Sequence, residues 1–64
     1  MRRRTGFTLW TADNANGSYH SWERVVGSAR WLAAKSGASV RVVDDNNGDQ
    51  WDVSPSGMVA PHRR

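Results

Sequence analysis

The sequence predicts an α+β fold of order β-α-β-β, in which one helix packs on a three-stranded sheet in two layers. Apolar residues recur with a helical period from Ser21 to Gly37 and indicate an amphipathic helix. β-branched residues alternate with polar ones in the segments that flank it. The pair Asn47-Gly48 is a strong signal for a tight hairpin between the last two strands.

The first predicted strand comprises residues 6–12 (GFTLWTA), which are rich in aromatic and β-favouring side chains. Residues 13–17 (DNANG) follow as a predicted loop, because Asn16-Gly17 is typical of a turn. The next three residues lead into the helix. If the first two predicted strands are parallel neighbours, the helical crossover between them should be right-handed.

The helix has signals at both ends. The hydroxyl of Ser21 can accept a hydrogen bond from the free N–H groups of the first turn. Glu23 near the start and Lys35 near the end suit the helix dipole, and Gly37 suits a left-handed residue after the last turn. A glycine such as Gly27 lowers the stability of a helix by about 1 kcal/mol relative to alanine. Such a residue is better tolerated if another molecule must approach the helix closely at that position.

The second and third predicted strands are residues 38–44 and 49–54, joined by the turn at 45–48. Beyond them no period is visible, so residues 55–64 are expected to be a tail in which Met58 and Val59 pack against the core and the rest is loose. Residues 1–5 form a basic arm. The predicted organisation is thus an arm, a single domain over residues 6–54, and a tail.

The predicted core joins one side of the sheet to one stripe of the helix. Its members are Phe7, Leu9, Val40, Val42, Trp51 and Val53 from the strands, with Trp22, Val25, Val26, Ala29, Leu32 and Ala33 from the helix. Alternation places Trp10, Arg41 and Val43 on the opposite sheet face. A one-residue change of register would exchange the two faces, and Trp10 would fill a core better than Thr11.

The composition excludes several classes of protein. With 64 residues there is room for one domain, and without cysteine there is neither a disulfide framework nor a thiolate metal site. No apolar run approaches the roughly 18 residues of a membrane span, and no signal-peptide core follows the N-terminal arginines. We therefore expect a cytoplasmic protein without membrane contact.

The basic charge is concentrated at the two ends of the chain. The net charge is +3, and five of the nine basic residues are Arg2, Arg3, Arg4, Arg63 and Arg64. Residues 5–62 carry four basic and six acidic side chains, a balance of −2. The basic character therefore describes the arms and says little about the folded surface.

The amino-acid composition and the order of the predicted elements together resemble one group of known proteins. The chain has no isoleucine and a single lysine, with abundant arginine, alanine, glycine, valine and tryptophan, as GC-rich genomes impose. A strand, a turn, a helix opening near YHSWE and a closing VRVVDD…G…W hairpin span residues 7–53. This pattern resembles the many small uncharacterised proteins of actinobacteria and their phages. The resemblance implies no activity.

Trp31 is the leading candidate for a binding residue. It projects roughly 180° from the apolar stripe of the helix, at about 100° per residue. Its neighbours on that outer face are Arg24, Gly27, Ser28 and Lys35. A tryptophan beside a small residue, with cations at the rim, is a common composition of interface hot spots. The partner at this face could be a foreign protein or a second copy of the chain. Two simpler interpretations are that the C-terminal tail covers the Trp31 ring, or that the ring is exposed and has no role.

Nucleic acid is the second candidate partner. Trp10 and Arg41 share the open sheet face, where an aromatic ring can stack on an unpaired base. The arms could supply phosphate contacts through Arg2, Arg3, Arg4, Arg63 and Arg64. The simpler interpretation is a cross-strand contact that shields a thin sheet, since Gln50 and Asp52 also belong to this face.

The sequence lacks the motifs that metal-binding and catalytic sites require. The acidic turn at 44–49 lacks a calcium-loop pattern, because Val43 stands at the first ligand position and Ser54 at the closing one. His20, Ser21 and Asp13 lack a nucleophile elbow or an oxyanion loop around them. Glycine-rich phosphate loops and cofactor motifs are also missing, and a core this small leaves little room for a substrate pocket.

We therefore expect a protein that is not an enzyme and takes no cofactor, metal or small-molecule substrate. The favoured function is a small adaptor or inhibitor-like protein that binds another protein through the Trp31 side of the helix. If the chain is phage-borne, as the resemblance implies, the expected partner is a host protein. A nucleic-acid-binding accessory or regulatory factor is the alternative. A structural homodimer is the second alternative.

Overall fold

The structure is a computed structural model that describes residues 6–11 and 14–62. In that part of the chain it contains a single helix and five strands. In chain order these are β1 (Phe7–Thr11), β2 (Asn14–Tyr19), α1 (Trp22–Ser36), β3 (Val40–Asp44), β4 (Gln50–Val53) and β5 (Val59–Pro61). The strands form one antiparallel sheet in the order β2-β1-β3-β4-β5. The α+β class is confirmed. The predicted β-α-β-β order and three-stranded sheet are wrong, because the chain adds a strand before the helix and another at the end.

The strand β2 occupies residues that the sequence predicts to be loop. β2 lies at the edge of the sheet, and its side chains are exposed except for that of Tyr19, which is half-buried. A strand that buries so little need not alternate apolar with polar residues in its sequence. Asn16-Gly17 is not the turn of the hairpin. Thr8 pairs with Ser18 and Trp10 with Ala15, which leaves Asn16 and Gly17 together opposite Leu9 in a β-bulge. Gly17 has φ 130°, a backbone angle that favours glycine.

The helix leads from β2 to β3, and both of these strands flank β1. Since β2 reverses the chain before the helix, β1 and β3 run antiparallel, from Phe7 opposite Asp44 to Trp10 opposite Arg41. The parallel pairing considered for the first two predicted strands is therefore wrong, and the handedness rule does not apply to them.

The strand β5 lies within the predicted tail. Val59, Ala60 and Pro61 pair with Val53, Asp52 and Trp51. Beyond it, the His62 amide donates to the Gln50 carbonyl at 2.9 Å. The expectation of a loose tail is thus wrong for this segment. A strand of three residues, one of them proline, is too short to show an alternation of apolar and polar residues. The sequence pattern therefore could not predict it.

The helix ends follow the prediction. Ser21 is the N-cap, and its Oγ accepts from the Arg24 amide at 3.2 Å. Gly37 is left-handed with φ 75°, and its amide donates to the Ala33 carbonyl at 2.8 Å. Both caps satisfy backbone groups that the helix leaves free at its ends. The helix is too short and too polar to cross a membrane.

The core between α1 and the sheet consists of predicted residues. Those that are buried are Leu9, Val25, Val26, Ala29, Ala33, Val40, Val42 and Val53. Phe7, Leu32 and Trp51 pack against them half-buried, together with Val59 from the predicted tail and with Tyr19, which was not predicted. Met58, which was expected to pack beside Val59, is 69% exposed. Trp22 is 38% exposed, although its ring lies 4.7 Å from that of Trp51 and 5.5 Å from that of Phe7. It closes the end of the core, since it occupies the first residue of the helix.

Candidate functional site

The outer side of α1 presents what we call the Trp31 face, formed by Arg24, Gly27, Ser28, Trp31 and Lys35. The helix turns its buried residues toward the sheet, whereas four of the five residues of the Trp31 face are exposed and Ser28 is half-buried. Trp31 is 62% exposed, compared with 36% for Trp10 and 38% for Trp22. The structure therefore keeps the predicted residues together around an indole ring that the described chain leaves largely open to water.

A cation lies over the Trp31 ring. The Nζ of Lys35 is 4.7 Å from the ring centroid, which is the geometry of a cation–π contact. At an exposed site such a contact contributes about 0.5–1 kcal/mol. Arg24 lies within about 20° of Trp31 around the helix, at 100° per residue, so the ring has cations toward both helix ends.

A groove separates the Trp31 face from the sheet edge at β2. It encloses about 420 Å³ and is lined by Leu9, Asn16, Tyr19, Gly27, Ser28, Trp31 and Leu32. Its floor reaches the core at Leu9, and its walls are α1 and β2. A Cβ atom at Gly27 would meet nothing within 4 Å, so the helix backbone is accessible there. The groove has no signal in the sequence, because its second wall is β2, which was predicted to be a loop.

The described part of the tail does not cover Trp31. Residues 59–61 pair with β4, at the sheet edge opposite β2. The turn before them is attached to the other flank of the helix, where Arg30 Nε donates to the Gly57 carbonyl at 3.0 Å. Residues 55–62 therefore lie away from the groove.

The open sheet face holds the second predicted set. Trp10 and Arg41 are cross-strand partners, which confirms that Trp10 lies opposite the core. Beside them is a depression of about 650 Å³. Arg41 Nε lies 3.7 Å from Asp52 Oδ1, and His62 Nδ1 lies 2.9 Å from Asp52 Oδ2. The Asp52 carboxylate thus offsets the positive charge of Arg41.

The predicted arm residues Arg2, Arg3, Arg4, Arg63 and Arg64 lie outside the described residues, as does Asp13 of the hydrolytic trio considered from the sequence. Among the described residues, no three acidic or histidine side chains come together in a way that could hold a metal ion. His20 is exposed on the segment between β2 and α1.

The acidic turn between β3 and β4 uses its oxygen atoms locally. Asp44 Oδ1 accepts from the Asn46 amide and Asn47 Oδ1 from the Asp49 amide, each at 2.9 Å. The Asp45 carboxylate accepts from Thr8 Oγ1 at 2.8 Å. These contacts stabilise the turn and join it to β1.

Comparison of the chain with protein-family models, with curated proteins and with solved structures found no match. The resemblance to actinobacterial and phage proteins therefore stays a prediction. The candidate site is defined by its geometry alone, and that geometry favours the groove side of α1.

Proposed function

We propose that this protein is a non-enzymatic protein-interaction module, adaptor-like or inhibitor-like, that binds another protein through the Trp31 face. The observation that carries this proposal is the 62% exposure of Trp31 beside an open groove. A cytoplasmic location and a host protein as the partner of a phage-borne chain belong to the same proposal.

The Trp31 ring is large enough to supply much of the free energy of binding at this face. A buried tryptophan removes about 150–250 Å² from water, and each Å² of apolar area contributes about 25 cal/mol. Tryptophan is among the commonest hot-spot residues, and truncating one at an interface centre costs about 2 kcal/mol or more. That loss corresponds to a roughly 30-fold weaker Kd.

The test compares three forms of the chain, the wild type, Trp31→Ala and Trp10→Ala, immobilised and exposed to an actinobacterial lysate. Trp10 is the matched control because it is a second exposed tryptophan on the opposite face. We expect Trp31→Ala to lose a protein that the other two retain, and to bind that protein, once purified, at least 30-fold more weakly. Equal retention by all three forms would overturn the proposal.

Folding of the Trp31 variant must be checked in the same experiment. A largely exposed side chain contributes little to the core, so the free energy of unfolding should fall by no more than about 1 kcal/mol, which is the size of the lost contact with Lys35. Unfolding of Trp31→Ala would contradict the placement of the ring on a free surface.

A nucleic-acid-binding accessory factor is the second candidate, favoured by the cross-strand pairing of Trp10 with Arg41 on a sheet face that no described helix or strand covers. It predicts binding of single-stranded oligonucleotides that weakens steeply with salt. Neutralising Arg2, Arg3, Arg4, Arg63 and Arg64 should abolish that binding, whereas the protein-binding model predicts little change. A structural homodimer instead predicts sedimentation that depends on concentration and on Trp31.

A further inference from the structure

The two edge strands of the sheet, β5 and β2, differ in how well they are protected against pairing with another strand. β5 has three residues, and Pro61 among them has no backbone N–H to offer a new strand. β2 has six residues, with the sequence NANGSY, and contains neither proline nor a charged side chain. Edge strands usually carry such protective residues, because their free backbone groups pair readily with other chains. Within the described residues, the β2 edge is therefore the one available for pairing.

The free backbone groups of β2 can be identified from the ladder. The Gly6 carbonyl accepts from the Asp45 amide at 3.0 Å, so the even-numbered residues of β1 direct their backbone groups toward β3. Their partners on β2, Ser18 and Ala15, then face away from β1. Among residues 6–11 and 14–62, the backbone N–H and C=O groups of these two residues have no partner strand at the edge of the sheet.

The β2 edge borders the groove below the Trp31 face. Asn16 and Tyr19 belong to β2 and line this groove together with Trp31. A strand added to β2 would lie about 4.8 Å further out in the plane of the sheet. Alternate side chains of that strand would point to the helix side of the sheet, where the indole ring can cover one of them.

The charges on this flank of the helix have one sign. At about 100° per residue, Arg24 and Lys35 lie within about 40° of Trp31, on the side of the groove. Glu23 lies about 80° away on the opposite flank, the side on which Arg30 reaches Gly57. With no charged residue in β2, the described surface around the groove is basic and complements an acidic ligand.

We propose that an extended acidic segment of a partner protein adds to β2 as a sixth strand. Its central apolar side chain packs beneath Trp31, and acidic side chains two residues before and after it meet Arg24 and Lys35. Residues two apart in a strand share a face and lie about 6.8 Å apart, whereas at about 1.5 Å per residue Lys35 lies roughly 6 Å and Arg24 roughly 10.5 Å from Trp31 along the helix. The spacing of Lys35 matches one acidic residue directly, and the long side chain of Arg24 reaches toward the other. This inference rests on the proposed function and specifies the class of partner and the binding mode, which is β-augmentation.

A second copy of the chain fits this edge less well. Pairing of two β2 strands about a two-fold axis would place both helices on the same face of a continuous sheet. The Arg24 and Lys35 side chains of the two copies would then approach one another, and like charges at an interface disfavour association.

The test uses the full chain and the synthetic peptide Thr-Glu-Thr-Val-Thr-Glu-Thr, titrated by NMR. Two further peptides carry one backbone N-methyl group, either on the valine or on the threonine that follows it. Because N–H groups of a strand alternate in direction, one methyl group blocks the contact with β2 and the other points to solvent. We expect one methylated peptide to bind at least tenfold more weakly and the other to bind like the parent. Equal binding by both would overturn strand addition.

Two more readouts locate the peptide and its charges. Hydrogen exchange of the Ala15 and Ser18 amides should slow at least tenfold at saturation, while the His62 amide beside the far edge stays unchanged. The double variant Arg24→Glu with Lys35→Glu should bind the parent peptide at least tenfold more weakly, and should prefer a peptide with lysines in place of the glutamates. Unchanged exchange, or an unchanged charge preference, would contradict the proposal.

The outcomes separate this inference from the proposed function. If Trp31→Ala loses the captured protein while neither methylated peptide differs from the parent, the interaction module stands and strand addition fails. If Trp31→Ala retains that protein, the proposed function fails whatever the peptides do. A concentration-dependent dimer that protects Ala15 and Ser18 would assign the edge to a second copy and overturn the acidic-segment proposal.

Discussion

Arg30 Nε donates to the Gly57 carbonyl oxygen at 3.0 Å and joins the middle of α1 to the turn before β5. The two residues are 27 positions apart in the chain. This contact secures one flank of the helix to the far edge of the sheet, while the other flank borders the open groove. The molecule is therefore asymmetric across α1, and its two sides should respond differently to substitution.

Arg30→Ala should loosen the β4–β5 connection. Without the guanidinium, the turn loses its hydrogen bond to the helix, so the Ser54 and His62 amides, which donate to Met58 and Gln50, should exchange faster. Arg24→Ala is the matched control on the groove flank and should leave those amides unchanged. Hydrogen exchange followed by NMR measures both. Equal rates in the two variants would show that the Arg30 contact does not hold this connection.

The neighbouring valines of β3 offer a test of the sheet's two faces. Val42 is fully buried, whereas Val43 is half-buried on the open face. Val42→Ala should lower the free energy of unfolding by about 2–3 kcal/mol, because it removes apolar contacts and leaves a cavity. Val43→Ala should cost about 1 kcal/mol or less. Denaturant unfolding checks this, and a larger loss at Val43 would mean that the register is shifted by one residue.

Two glycines should respond in opposite directions to alanine. A Cβ at Gly6 would lie 2.6 Å from the Tyr19 carbonyl oxygen, and its φ of 142° is unfavourable for alanine. Gly6→Ala should therefore destabilise the protein by about 1–3 kcal/mol. Gly27→Ala adds its methyl group in open space within a helix and should stabilise it by about 0.5–1 kcal/mol. The melting temperatures should thus move in opposite directions.

The same Gly27→Ala variant should weaken partner binding. The added methyl group would stand in the groove beside Trp31, where the glycine leaves the helix backbone accessible. We expect a more stable protein with a several-fold weaker Kd for the captured partner, measured by calorimetry. Ala34→Gly, at an exposed position later in α1, is the converse control and should lower stability without changing the Kd. Unchanged affinity in Gly27→Ala would place the partner elsewhere.

Ser21 provides a prediction about the helix start. Its Oγ accepts from the Arg24 amide, so Ser21→Ala should cost about 1 kcal/mol of stability. Ser21→Asp should restore most of that loss, because a carboxylate caps the same amides and suits the positive end of the helix. Thermal unfolding of the two variants separates capping from a general effect of the substitution. Equal losses in both would argue against capping.

Local signals were sufficient to predict the helix and the β3–β4 hairpin. The apolar period gave the buried residues Val25, Val26, Ala29 and Ala33, and both caps carry residue types with a defined backbone role. Alternation likewise separated Val42 from Val43. These elements bury one face in the core, and burial is what imposes a visible period on a sequence.

The strands β2 and β5 could not be predicted, because the edge positions require little burial. β2 has the composition of a loop, and its Asn16-Gly17 pair occupies a bulge instead of a turn. The position of Trp31 outside the core follows from the helix period alone. The groove below it depends on β2, so the site could be predicted only as one residue on a helix and not as a surface with two walls.

The unequal edges also limit how far an assembly can grow. A filament requires each subunit to offer two complementary edges, whereas Pro61 and the short length of β5 oppose strand addition on one side. Through β2, each molecule can accept a single added strand, after which the extended sheet ends in that added segment. Recognition by strand pairing at this edge would therefore be stoichiometric, with one segment per molecule, and would not propagate into fibres.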